Sequence, residues 1–238
     1  MSQSKPKALV CVLTSTERQG WINPELSCGL VRMAQDSRFE MVYATIKDSR
    51  PVECARNTAL VLARDNGFEW CIQIDNDNFM PQGTPLDIIA GAGPQHNVIG
   101  LGYSVGATAH GYSLFPPEAS TPLTSPFKEV PDVAGGMLMV HRSVWQKIPR
   151  GPWFRWNHGE PTETLDKGPN GCGEDVYFCR LVREHGLKVW THAQLAGHYR
   201  TTDLTGMTVT LSQLTQQAKA AQAMPRPAPQ ANKWVTVQ

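Results

Sequence analysis

Strand-like runs with helix-spaced segments between them constrain this chain more than any other feature. ALVCVLT (8–14) is apolar without a break, FEMVYATI (39–46) follows it, and EWCIQI (69–74) is the third. A run that is apolar throughout shows no alternation between a wet and a dry side, so both of its faces must be covered. Between the runs lie two helical segments. In NPELSCGLVRMAQDS, Leu26, Leu30, Val31 and Met33 recur at helical spacing, with Asn23 as N-cap and Pro24 in the first turn. SRPVECARNTALVLARDNG is opened by Pro51 and stopped at Asn66-Gly67. TPLDIIAGAG then reads as a short helix capped by Thr84, and NVIGLGYS as a fourth strand. Such alternation predicts an α/β fold, a three-layer sandwich whose mostly parallel sheet carries helices on both faces.

Beyond residue 130 the pattern continues. DVAGGMLMVHRSVWQKI reads as Gly-Gly, a buried strand and a helix, and GEDVYFCRLVREHG as a helix ended by Gly186, with Val176, Cys179, Leu181 and Val182 inward. LKVW is a short strand, and AGHYR follows it. Residues 151–171 have no periodicity and many Gly, Pro and aromatic residues, the composition of a functional loop. From 205 onward Gln, Ala, Thr and Pro dominate, so the expected organisation is a main domain over 1–204 and a tail over 205–238, with one helix and a stiff Pro-rich end.

With 238 residues, a formal charge of +1 and 18% charged residues, the chain lacks the strongly basic face that nucleic-acid partners require. No run approaches the roughly 18 apolar residues of a membrane helix, and the N-terminal run is too short for one. Six scattered cysteines suit buried free thiols of a reducing cytoplasm, and Cys172 and Cys179 lack the spacing of a zinc site.

The chemistry begins where the third strand stops, at Asp75-Asn76-Asp77-Asn78. In parallel sheets, ligands collect at the carboxyl ends of strands. Two carboxylates about 4 Å apart repel by roughly 4 kcal/mol at an effective dielectric near 20. Unless one takes a proton, they call for a cation, and Mg²⁺ or Mn²⁺ prefers such oxygen ligands. A solvated turn is the plainer reading, because Asp and Asn favour turns. A calcium loop is excluded, since the positions that need Gly and Glu are Met80 and Leu86. A second acidic pair, Glu174-Asp175, opens a helix, where the dipole favours carboxylates. His198 lies late in the chain, between Gly197 and Tyr199.

The order of these parts resembles the GT-A fold glycosyltransferases, family-2-like enzymes in particular: a strand ending in D-x-D, a Gly-Gly strand, a G-E-D helix and a late His. The likeness runs from Ala8 to Arg200. It implies a metal-dependent transferase that moves a sugar from a nucleotide-sugar donor, a UDP-sugar first, to an acceptor hydroxyl on a sugar, lipid or protein. Carried over residue by residue, it implies that Thr14 and Ser15 touch the base and that Arg56 and Asn57, in Ala55-Arg56-Asn57, face the nucleotide. It further implies that Asp75 meets the ribose or the metal, and that Asp77 and His198 bind the metal, Mn²⁺ or Mg²⁺. Gly135 and Gly136 would admit the donor sugar, Glu174 would hold hydroxyls, and Asp175 would be the general base of an inverting enzyme. Two positions depart from the pattern: Asn78 stands where a further acid is common, and Val176 where the galactosyltransferases carry another Asp.

Acceptor contact is expected on the 151–171 loop, where Trp153, Phe154, Trp156 and His158 offer flat faces for sugar rings. The competing readings are a nucleotidyltransferase, for which TSTERQG supplies Arg18 but only one glycine, and a non-catalytic nucleotide- or carbohydrate-binding protein of the same fold.

Overall fold

The computed structural model describes residues 5–14, 22–47, 49, 51–108, 111–115, 125–156 and 172–198, with backbone alone for 104–108 and 111–115. The chain forms two compact units, Met1–Tyr199 and Arg200–Gln238. The second unit, with the expected tail, lies outside the described residues, as do Ser15, Arg18, His158 and the rest of the 157–171 segment.

In chain order the elements are β1 (Lys7–Thr14), α1 (Pro24–Ala34), β2 (Glu40–Lys47), α2 (Val52–Asp65), β3 (Trp70–Asp75), β4 (Asn78–Phe79), α3 (Pro85–Ala90) and β5 (Val98–Thr108). There follow β6 (Gly111–Phe115), β7 (Phe127–Glu129), β8 (Met137–His141), α4 (Ser143–Lys147), α5 (Glu174–Glu184), β9 (Val189–Leu195) and β10 (Gly197–His198). The main sheet has the order β2-β1-β3-β8-β5-β9-β7, with β6 paired to β5. Strands β2, β1, β3, β5 and β9 run one way, while β8 and β7 run against them.

Alternation along β1 divides the core into two layers. Leu9, Cys11 and Leu13 pack with Ala59 and Leu60 of α2, Val144 of α4 and Phe178 of α5. Ala8, Val10 and Val12 pack on the other side with Leu26 and Met33 of α1 and Leu86 of α3. The fold is therefore the expected α/β sandwich, a sheet whose strands mostly share one direction between two helical layers. Sequence reading did not separate β8 as antiparallel, because Met137–Val140 is buried on both faces just as a parallel strand would be.

Caps stand where the residue types put them. The Asn23 side chain accepts the Leu26 amide at 2.6 Å, Thr84 and Asp87 form a capping box, and Gly67 and Gly186 end α2 and α5 with φ of 68°. One expected inward residue of α1 faces out, since Val31 is 58% exposed. In α5 the buried apolar set is Phe178, Cys179 and Val182, with Val176 only partly covered. All six cysteines are free thiols, with Cys28 and Cys54 exposed and the other four buried. Among the described residues no helix is long and apolar enough to cross a membrane.

Candidate functional site

The turn after β3 is fastened from three sides. The Asn76 amide donates to Leu13 of β1 at 3.1 Å, and the Asp75 amide to the Gly136 carbonyl at 2.9 Å. Asn23, fully buried, donates its side-chain amide to the carbonyls of Asn76 (3.1 Å) and Asn78 (3.3 Å). The residue that caps α1 thus also ties that helix to the acidic turn. The sequence marked only the cap.

Beneath the turn lies Arg56 of α2, 3% exposed. Its guanidinium donates to Asp75 Oδ2 at 3.1 Å, to Glu174 Oε1 at 3.3 Å and to the Gly135 carbonyl at 2.8 Å. Burial works against its charge, but Asp75, Glu174 and Asp175 outweigh that and hold it protonated. One side chain therefore joins the D-x-D turn, the Gly-Gly segment and the G-E-D helix. Arg56, expected to face a nucleotide, is thus bonded to three of the protein's own groups. Its position one turn before Leu60, in the buried stripe with Ala59 and Ala63, was the available signal.

Asn57, also expected to face a nucleotide, is likewise engaged within the protein. Its carbonyl oxygen accepts the amides of Trp153 (2.8 Å) and Phe154 (3.1 Å), and its amide donates to the Phe154 carbonyl at 2.7 Å and the Glu53 carbonyl at 2.8 Å. These bonds fasten the entry of the 151–171 segment to α2.

The two glycines make room for the protein's own side chains. A β-carbon on Gly135 would stand 2.7 Å from the Arg56 guanidinium carbon, and one on Gly136 would stand 2.8 Å from the Asn78 amide and 2.9 Å from the Tyr103 ring. The space expected for a donor sugar at these positions is filled by Arg56, Asn78 and Tyr103.

The acids divide into two groups. Burial raises the pKa of Asp75, against the pull of Arg56 and with further repulsion from Asp77. One Asp75 oxygen holds Arg56, while Oδ1 is buried without a hydrogen-bond partner. Burial likewise raises Glu174, whose carboxylate is turned onto Arg56. One oxygen of Glu174, expected to hold hydroxyls of a ligand, is thus engaged by Arg56. Asp175 accepts the Val176 amide at 2.8 Å on one oxygen and the Gly135 amide at 3.3 Å on the other.

On the far side of the turn, Asp77 Oδ2 lies 3.6 Å from His198 Nε2. The pair is aligned by β4 and β10, which place His198 opposite Asn78 and Gly197 opposite Phe79. Gly197 is required there because the Phe79 ring lies against its Cα, where a β-carbon would collide. Tyr103 of β5 closes this side, its ring edge-on to His198 with centroids 4.9 Å apart. Burial raises its phenol pKa, with Asp75 adding to the effect. Tyr103 was not singled out in the sequence, although it continues the Ile99–Leu101 alternation onto the α1 side of β5.

Asp77 and His198 therefore meet, but Asp75 turns to Arg56, and among the described residues no three His, Cys, Asp or Glu side chains group as a metal centre. Thr14 ends β1 beside this region, with its hydroxyl oxygen buried and unpartnered. Of the aromatics, Trp153 is 1% exposed and donates its indole N–H to the Ile148 carbonyl at 2.8 Å. Trp153, expected among the acceptor contacts, is thus a core residue. Trp156 is 39% exposed.

No protein-family model and no curated protein matches the sequence. Among solved structures the chain is similar to the A197 protein from STIV, with a TM-score of 0.56 and 18% identity over 81% of this chain and 85% of that one. Weaker likenesses are to a glycosyltransferase involved in the glycosylation of the major capsid of PBCV-1 (TM-score 0.37, 11% identity, 82% of this chain and 96% of that one) and to apo UDP-glucose pyrophosphorylase (0.41, 10%, 88% and 82%). The first shows a shared fold, and at these identities none of the three carries an activity across.

Proposed function

We propose that the protein transfers a glycosyl group from a nucleotide-sugar donor, a UDP-sugar first, to an acceptor hydroxyl, on a GT-A type scaffold. The observation that carries this reading is the convergence on Arg56 of three segments far apart in sequence, Asp75, Gly135 and Glu174, with Asp77 and His198 beside them. The convergence lies at the carboxyl end of β3, where ligands of such sheets collect.

The donor set fits a divalent cation. Asp77 and His198 stand 3.6 Å apart, too far for a hydrogen bond yet within reach of one ion with ligand bonds of about 2.1 Å. The buried Oδ1 atoms of Asp75 and Asn78, each without a hydrogen-bond partner, belong to the same turn. We assign Asp77 and His198 as the ligands, with Asp75 at the edge of the shell. A bound Mn²⁺ or Mg²⁺ would supply positive charge to offset that of a leaving diphosphate.

The chain's own groups carry the rest. In the transfer the acceptor oxygen bonds to the anomeric carbon, the bond from that carbon to the phosphate oxygen breaks, and the acceptor proton passes to a carboxylate. Asp175 is the candidate, held in place by the Val176 and Gly135 amides. Thr14, at the end of β1, and Ser15, next in sequence, are proposed to meet the nucleotide. Arg56 and Glu174 position the acids rather than touch the donor.

A second reading, nucleotide binding without turnover, is favoured by one observation. Both Asp175 oxygens already accept backbone N–H bonds, so each is partly engaged before an acceptor hydroxyl could approach. Incubation with UDP-, GDP-, CDP- and ADP-sugars and Mn²⁺, with chromatography for free nucleoside diphosphate, separates the two. Release from one donor class that falls at least tenfold in Asp175→Asn supports transfer. Tight binding with no release from any donor, in the presence of a range of acceptors, favours the second reading.

A further inference from the structure

We propose that Tyr103 of β5 is a positioning residue, whose ring fixes the His198 imidazole in the orientation from which it meets a divalent cation. The inference rests on the assignment of Asp77 and His198 as ligands, and adds to it a residue that touches no metal.

His198 lies on a short element. β10 has two residues, paired antiparallel with β4. That pairing sets where the His198 backbone stands, but the turn of the ring about its side-chain bonds is left to packing. Asp77 does not fix it by a hydrogen bond, since Oδ2 and Nε2 are 3.6 Å apart. Tyr103 makes the ring contact: the centroids are 4.9 Å apart and the planes inclined by 70°, the near-perpendicular arrangement that aromatic rings favour.

Tyr103 is itself held. Its neighbour Gly102 accepts the Ala196 amide at 2.9 Å, which joins β5 to the segment that enters β10. Its ring lies over Gly136, where a β-carbon would stand 2.9 Å from Cε1, and the Gly136 backbone hydrogen-bonds to its phenol. With the hydroxyl taken up there, the ring rather than the oxygen is what His198 meets. The Gly136 carbonyl also accepts the Asp75 amide at 2.9 Å. One glycine thus fastens both the acidic turn and the ring that packs on His198. The two proposed ligands, which come from different strands, are thereby referred to a common point. A ligand oriented before the ion arrives loses less freedom on binding it, and groups that orient metal ligands are typically worth 10–100-fold in affinity.

The test is Mn²⁺ binding to the full chain, read from the electron paramagnetic resonance signal of the free ion, in wild type, Tyr103→Leu, Tyr103→Met and Tyr103→Phe. The expected result is an affinity about tenfold weaker in both variants without a ring, and within about threefold of wild type in Tyr103→Phe. Two ring-less side chains of different shape separate a lost ring from a folding defect of one variant. The His198 ring-proton resonances, assigned with His198→Ala, should move in the ring-less variants before Mn²⁺ is added and stay near their wild-type positions in Tyr103→Phe. Unchanged Mn²⁺ affinity in the ring-less variants would overturn the inference, and so would equal weakening in Tyr103→Phe. Binding that depends on His198 but not on Tyr103 would remove the inference alone. Binding that His198→Ala leaves intact, or no binding to wild type, would remove the ligand assignment with it.

Discussion

The two aspartates of one turn have opposite surroundings. Asp75 faces inward, onto a buried guanidinium that also holds Glu174 and the Gly135 carbonyl. Asp77, two residues on, faces His198 across a gap too long for a hydrogen bond. The inner set is matched by a protein cation, and the outer pair has an imidazole that is charged only when protonated. Under the proposed function the shared motif serves two purposes: Asp75 belongs to the framework that holds the site together, and Asp77 to the part proposed to meet a ligand. If so, stability and binding should separate when each side is altered.

The largest effect is expected from Arg56→Met. Removing the guanidinium leaves Asp75 and Glu174 buried without their cation, a loss of about 3–5 kcal/mol for a broken buried pair. For a domain of this size the thermal midpoint should fall by roughly 6–20 °C in a calorimetric melt. A fall of only a few degrees would mean that the inner acids are not held by Arg56. Gly136→Ala should rank next, at about 1–3 kcal/mol in a denaturant titration, because its methyl group meets Asn78 and the Tyr103 ring. It should also weaken ligand binding, since both neighbours border the outer pair.

A third experiment reads the inner side through pH. Burial raises the pKa of Glu174 above the 4.5 of an unperturbed glutamate. The folded chain then binds more protons than the unfolded chain just above that pH, so this residue's contribution is full below about 4.5 and is lost as pH rises through the folded value. In Glu174→Gln that part of the decline should vanish, and denaturant midpoints of the two proteins should converge in their pH dependence elsewhere. The smallest stability effect is expected from Asp77→Ala, about 1 kcal/mol, because the loss of its contacts with His198 and the Asn78 amide is offset by removal of a carboxylate that repels Asp75.

Much of the framework was legible because it depends on local rules. The β1 and β3 runs, the Asn23 and Thr84 caps and the glycine stops after α2 and α5 each follow from a few neighbouring residues. What escaped depends on partners distant in sequence. Nothing near Asn57 announces that its amide holds Trp153 and Phe154, nearly a hundred residues away. The two tryptophans show the same limit: Trp153 and Trp156 look alike in sequence, yet one is a core residue with a satisfied indole and the other is exposed. At the Gly-Gly pair, too, the approaching groups, Arg56, Asn78 and Tyr103, lie far off in sequence. Antiparallel β8 was beyond reach because full burial erases the alternation that would have marked it.

The most direct test of the division between the two aspartates is calorimetric titration of UDP, GDP, CDP and ADP, with and without Mn²⁺, into wild type and Asp77→Ala. The account predicts Mn²⁺-dependent binding of one nucleotide to wild type, and its loss in Asp77→Ala with the thermal midpoint nearly unchanged. Binding that survives in Asp77→Ala, or no binding of any nucleotide to wild type with Mn²⁺ present, would contradict it.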